Sequence, residues 1–130
     1  MARGVTLDVV EAPIAVCRLP ADAPVPEWAW TAGTFLTITR TSQELSITAD
    51  AAVVPADVPA QRGWRAFKVR GTIGFSVVGL LSSIVAPLSQ AGMTVLSIST
   101  HDTDWFLVRR DDLEHATSVL ERAGHHVGVA

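Results

Sequence analysis

Short runs along the chain alternate between apolar and polar residues, and two longer runs repeat with helical spacing. Val5–Val10 alternates weakly and Ile14–Leu19 more clearly. Pro13 and Pro20 bound the second run, so the two read as separate strands. Pro20–Trp30 holds three prolines and reads as a loop, with one helical turn near Pro26–Trp30 where proline suits a first helical position. Phe35–Thr41 alternates again, with Phe35, Thr37 and Thr39 on one face and Leu36 and Ile38 on the other. Ser42-Gln43 connects it tightly to a further strand, Glu44–Ala49. Asp50–Gly63 carries Pro55 and Pro59 and reads as a loop with one helical turn.

The second half is more sharply patterned. Trp64–Val69 is extended and leads into a loop with Gly71, Gly74 and Gly79. An apolar helix is expected over Val78–Ala91, interrupted by Pro87 and closed by Gly92, where a left-handed cap favours glycine. Thr94–Ser99 alternates as a strand, Thr100–Asp104 is a polar turn, and Trp105–Val108 is another strand. Asp111 is placed to cap a helix that runs to about Ala123, with Leu113, Ala116, Val119 and Leu120 on one face and Gly124 at its end. His125–Val129 reads as a last strand. The order strand, helix, strand, strand, helix, strand is that of a ferredoxin-like split βαβ. Its crossovers put both helices on one face of an antiparallel sheet.

Leu36-Thr37-Ile38-Thr39 recurs as Leu96-Ser97-Ile98-Ser99, each followed by a polar turn and an acid, Glu44 or Asp104, that opens the next strand. The pattern describes a duplicated strand pair whose helices have shrunk in the first copy. The chain therefore divides into a degenerate half over 1–62 and a complete one over 63–130, an α+β protein of tandem βαββαβ halves. Val5–Val10 is left open to complete either sheet.

Composition narrows the function. Hydrophobic residues make up 48% and charged ones 18% of 130 residues, enough for a packed core. A net charge of -3 gives no basic excess to follow a phosphate backbone, which argues against nucleic acid. The lone Cys17, on an apolar strand, reads as an inert core thiol and fits a reducing cytoplasm. The apolar helix is shorter than the ~20 residues of a membrane span. His125 and His126 are adjacent, so on a strand they point to opposite faces, and no metal spacing or cofactor motif stands out.

Several stretches together carry a family resemblance. Gly79-Leu80, Leu88, Gly92-Met93 and Val95 match the loop, helix and strand pattern of the ACT domain, the ligand-binding module of amino-acid metabolism, over Trp64–Val127. Val16-Cys17-Arg18-Leu19, Thr39-Arg40-Thr41 with Glu44-Leu45-Ser46, Gly74-Phe75, Ile84-Val85-Ala86-Pro87-Leu88 and Ser99-Thr100-His101-Asp102-Thr103-Asp104 resemble, more narrowly, the tandem-ACT proteins related to the animal cytosolic arginine sensor. The resemblance implies an amino acid held between ACT units, and a homodimer whose facing units complete the pocket. It assigns ligand contacts to Gly74, Thr100 and Asp104, with His101 and Thr103 beside them. Thr94 and Val95 match a strand start contributed by a facing unit. Val77 stands where the sensor has a glutamate near the ligand amine, and Thr103 where it has an aromatic residue.

The residues themselves add a physical case. Amides freed in the loop around Gly74, Phe75, Ser76, Val77 and Gly79 form an anion site at a helix start; the same glycines also permit tight turns, and Ser76 also reads as a helix cap. Asp104 reads as a partner for a ligand cation, or for Arg40 or Arg109. Asp102 in its turn is expected to bond its own backbone. Glu44 reads as a degenerate second site or, preferably, a salt bridge. The four tryptophans read as packing or interface residues rather than base-stacking platforms.

Three functions follow: a non-enzymatic amino-acid-binding regulatory module with a protein target still to be identified, a structural or interaction module that has lost its ligand, and a small enzyme using His101 and Asp104 as base and acid. The first is favoured.

Overall fold

The computed structural model describes residues 4–71 and 79–129. Its elements, in chain order, are β1 (Thr6–Leu19), β2 (Leu36–Arg40), β3 (Leu45–Asp50), β4 (Ala60–Val69), α1 (Leu80–Gln90), β5 (Leu96–Ser99), β6 (Asp104–Arg109), α2 (Leu113–Arg122) and β7 (His126–Val129). Short 3-10 turns occupy Glu27–Thr31, Ala51–Val53 and Arg110–Asp112. The chain is an α+β protein. It forms two compact units, Ala12–Trp64 and Met1–Glu11 with Arg65–Ala130. The residues of β1 and β4 are divided between them.

The two N-terminal strands expected from the alternation are one. β1 runs through Pro13 without a break. Pro13 lies between Thr6–Val9, which pair with β7, and Ile14–Leu19, which pair with β3. Its missing N–H therefore removes no bond from either register, a position proline tolerates. β4 likewise begins at Ala60 rather than at Trp64.

In the unit Ala12–Trp64, the sheet order is β2-β3-β1-β4. Its registers put Leu36 opposite Ala49, Ile38 opposite Ile47, Cys17 opposite Ile47 and Leu19 opposite Leu45. One face of three strands thus carries Leu36, Ile38, Leu45, Ile47, Ala49, Ala15 and Cys17, and this is the core. Cys17 is buried there, and burial pushes its thiol up from the ordinary range, against a smaller opposing effect of Arg62. The 3-10 turns Glu27–Thr31 and Ala51–Val53 follow β1 and β3, and Ala29 and Val54 help to fill the core.

The other unit has the order β7-β1-β4-β6-β5, with β7 parallel to β1. Thr6–Val9 thus lies on the side of β4 where a plain βαββαβ sheet would hold its last strand. This settles the docking that the sequence left open. α1 presents Leu80, Ile84 and Leu88, and α2 presents Ala116, Val119 and Leu120, against Leu7, Phe67, Val69, Phe106 and Val108. Those strand residues alternate, so both helices cover one face.

Pro87 does not stop α1, which continues to Gln90. A proline inside a helix leaves the carbonyl four residues earlier without its donor. That carbonyl belongs to Ser83, and it lies 3.0 Å from His125 Nε2. His125 Nδ1 in turn accepts the Val5 N–H at 3.2 Å. The buried imidazole, donating at Nε2, thereby bonds the proline-interrupted helix to the start of β1. Gly92 and Gly124 adopt the left-handed conformation expected after each helix. Asp111 does not cap α2: the helix is entered through the 3-10 turn, whose closing bond runs from Leu113 N–H to Arg110 O, and no side chain caps it.

The two hairpins share a four-residue turn, closed by Thr41 N–H to Glu44 O in one and by Thr100 N–H to Thr103 O in the other, both at 2.9 Å. Glu44 is therefore the counterpart of Thr103. Asp104, paired with Ser99, corresponds to Leu45, paired with Arg40, so the expected match of Glu44 with Asp104 is displaced by one residue. Among the described residues Glu44 makes no ion pair within 4.0 Å, so the expected salt bridge is not formed.

Phe106 is wholly buried between sheet and helices. Phe106→Ala is expected to lower stability by about 3–5 kcal/mol through lost burial and the cavity it leaves, measured by chemical denaturation. A loss below about 1 kcal/mol would contradict this packing.

Candidate functional site

The polar turn is held by its threonines. Thr100 donates its amide to Thr103 O, and its hydroxyl oxygen accepts the Thr103 N–H at 3.4 Å. The Thr103 hydroxyl donates at 2.8 Å to the carbonyl of Val69, and Thr103 is only 4% exposed. Val69 is the last residue of β4, ahead of Gly71 and the glycine loop. Two parts of the expected site, the turn and the root of the loop, are thus bonded to each other.

Asp104 opens β6. It shares alternation with Phe106 and Val108, which pack under the helices, so its side chain is on the helix-covered face. Oδ1 accepts the Ser99 hydroxyl at 2.5 Å, across the Ser99–Asp104 pair. Arg40, one of its expected partners, is instead bonded to Ala21 O and Ala23 O. Oδ2 has no hydrogen bond among the described residues.

Gly79 precedes α1 with φ +82° and serves as its N-cap, and among the described residues no side chain caps that end. The first amides of α1 are donors that the helix itself leaves unbonded. Gly74, Phe75, Ser76 and Val77, the remaining loop positions expected to hold a ligand, lie outside the described residues. Thr94 is exposed, and Val95 packs half-buried against the helix-side core.

His101 and Asp102 meet at 2.8 Å, Nδ1 to Oδ1, with side chains 89% and 66% exposed. Asp102 thus partners the neighbouring imidazole rather than its own backbone. The pair stands in solvent rather than in a cleft, which is not the arrangement that acid–base chemistry by His101 needs.

A second feature at the loop root has no signal in the sequence. Arg70, just after β4, donates through Nε to Asp8 Oδ1 and Oδ2 at 3.2 and 3.1 Å, and Nη2 also meets Oδ1. This bidentate bond holds the Asp8 carboxyl below the usual range, against the opposing effect of desolvation, with Arg70, Lys68 and His126 charges assisting. A Cβ at Gly128 would come within 2.9 Å of Arg70 Nη2, so glycine on β7 leaves room for the guanidinium. The pairing joins residues 62 apart, on a strand whose alternation was weak.

An open hollow of about 550 Å³ lies elsewhere, lined by Val9 and by Leu113, Glu114, His115, Thr117 and Ser118 of α2. It contains none of the candidate ligand contacts expected from the sequence. Among the described residues no group of three or more His, Cys, Asp or Glu side chains could hold a metal. No helix among them is long and apolar enough to cross a membrane.

The sequence profile of the ACT domain matches residues 60–122. A structure of protein Atu0741 from Agrobacterium tumefaciens is 36% identical, covers 99% of this chain and 96% of its own, and superposes with a TM-score of 0.92. The chain carries an ACT domain over residues 60–122 and shares a family with Atu0741. A separate profile, for an N-terminal domain, matches residues 13–57. VC0802 of Vibrio cholerae, a protein of unknown function, shares the fold at 13% identity with a TM-score of 0.75, covering 93% of this chain and 91% of its own. The regulatory subunit of aspartate kinase from Thermus thermophilus shares it at 11% identity with a TM-score of 0.64, covering 95% and 99%. No curated protein matches the sequence. Within the ACT domain, β4, α1, β5, β6 and α2 account for the matched span, and the acidic turn and the loop root both fall inside it.

Because the folded state lowers the Asp8 pKa, the Asp8–Arg70 pair adds stability above the ordinary Asp value of about 4 and loses it as pH falls through the folded value. Arg70→Gln is expected to flatten the acid limb of the wild-type curve of melting temperature between about pH 7 and pH 2. Parallel curves for the two proteins would refute the assignment.

Proposed function

We propose that this protein is a non-enzymatic regulatory module that binds an amino acid at an ACT site. The chain is read as tandem ACT-like halves, 1–62 degenerate and 63–130 complete. The ligand carboxylate meets backbone amides of the Gly74 to Gly79 loop, and its polar or cationic end meets Asp104 and Thr100. Phe75, Ser76, Val77, His101, Thr94 and Val95 are the neighbouring contacts by resemblance, the last two from a facing unit. The observation that carries the reading is the Asp104 carboxylate. It stands on the helix-covered face with one oxygen unbonded among the described residues, in a turn bonded to the root of the glycine loop. Residues 72–78 contain no charged side chain, so the loop brings no cation to neutralise it.

Binding in such a module acts by favouring whichever packing of units or chains closes around the ligand. The protein is read as cytoplasmic and homodimeric, with a downstream protein target. Among the described residues β5 ends its sheet and β7 pairs with β1 alone, so both offer edges that a second copy is able to cover.

A second reading, an interaction module that has lost its ligand, is favoured by one observation: the Ser99 hydroxyl already occupies Asp104 Oδ1. Val77, in place of the sensor's glutamate, points the same way.

Calorimetric titration with the twenty amino acids separates the two. At least one is expected to bind with a Kd below 1 mM, and Asp104→Ala to weaken it about 10- to 100-fold, the worth of a charge-assisted hydrogen bond. No binding below millimolar and no effect of Asp104→Ala would leave the interaction module as the function.

A further inference from the structure

We infer that Thr103 is the positioning residue of this site, acting on the ligand through Asp104 and the loop root rather than by touching it; this rests on the amino-acid-binding reading above. The resemblance would make Thr103 a ligand contact. The structure uses its polar atoms otherwise. Its hydroxyl donates to Val69 O at 2.8 Å, its amide faces Thr100 Oγ1 at 3.4 Å, and its carbonyl accepts the Thr100 N–H at 2.9 Å. With 4% of its surface exposed, it offers a ligand little area.

The consequence is geometric. Asp104 follows Thr103 directly, and Gly71 lies two residues past Val69. A hydroxyl buried between them fixes the distance from the acid to the start of the loop. A recognition site loses affinity when its two poles move independently, because the ligand must then order them. Burial strengthens the link: without the hydroxyl, a buried carbonyl loses a donor that water does not easily replace.

The residue in this place in the other hairpin shows what is distinctive. Glu44 closes the same four-residue turn, yet it is only half-buried, and among the described residues no side-chain bond from it reaches a neighbouring strand. The turn geometry therefore does not require the threonine hydroxyl. Its bond to Val69 is an addition at the end of β6 that carries the acid.

Two substitutions test this. Thr103→Val keeps shape and removes the hydroxyl; Thr103→Ser keeps the hydroxyl. The twenty amino acids are titrated singly into wild type and both variants, and amide exchange of Thr100, whose N–H is bonded to Thr103 O, is followed in each. Thr103→Val is expected to weaken the best wild-type binder about tenfold and to speed Thr100 exchange about tenfold, with Thr103→Ser close to wild type in both. If wild type binds and Thr103→Val binds equally, the positioning role is refuted while the binding function stands. If wild type binds nothing, the binding function falls. Unchanged Thr100 exchange in Thr103→Val would then also refute the link as a constraint on the turn. If Thr103→Ser loses affinity as fully as Thr103→Val, shape rather than the hydroxyl is responsible, and the inference is overturned.

Discussion

A buried strand is stable only when its backbone donors and acceptors find partners, and β1 is where that requirement shapes this chain. Fourteen residues, Thr6–Leu19, stay extended because different neighbours bond successive stretches. Thr6–Val9 pairs with β7, Ile14–Leu19 with β3, while Thr6 O accepts the Arg70 amide and the Arg18 amide donates to Pro59 O. Pro13 falls where the first partner gives way to the second. The rest follows from that strand: Leu7 enters the core beneath the two helices, while Ala15 and Cys17 enter the core of the other unit. Asp8, between Leu7 and Val9, points away from the helices and takes Arg70. The pairing of β1 with β7 also brings the Val5 amide to His125, and so to the carbonyl that Pro87 leaves without a donor.

Periodicity made most of the elements legible. Leu80, Ile84 and Leu88 recur every fourth residue, and Leu36 and Ile38 alternate against Thr37 and Thr39; those spacings decide which face is buried whatever the neighbours are. What alternation does not contain is the identity of the neighbour. That is why Pro13 read as a boundary, why Pro87 read as an interruption, and why Arg70 gave no hint of Asp8. Each depends on a bond between residues distant in sequence. Ladder register, likewise, decides that Thr103 rather than Asp104 corresponds to Glu44, and a one-residue offset in a repeat of hydroxyls and apolar residues is invisible until strands pair.

The site was legible in the same partial way. A polar turn and a glycine loop on either side of an apolar helix suggest a recognition site because each supplies polar groups outside the core. The bond from Thr103 to Val69 is what the sequence withholds, since a threonine in a polar turn looks like any other solvent-facing hydroxyl. Burial changes its meaning. In solution the hydroxyl would exchange freely with water; enclosed beside β4 it becomes a fixed link between the two parts of the site.

The bond between Ser99 and Asp104 then sets the energetic question for the site. A hydroxyl donating to a carboxylate satisfies one oxygen at a net gain of about 1.5–3 kcal/mol when a charged group takes part, and of about 1 kcal/mol when exposure lets water compete. The Asp104–Ser99 bond lies at the exposed end of the hairpin, so it belongs to the weaker end of that range. A ligand ammonium or guanidinium arriving at the other oxygen does not have to displace Ser99, because a carboxylate accepts several bonds. Ser99 then orients the acid instead of competing with the ligand. The turn that precedes the acid is already bonded to Val69, so less ordering of the acid is left for a ligand to supply.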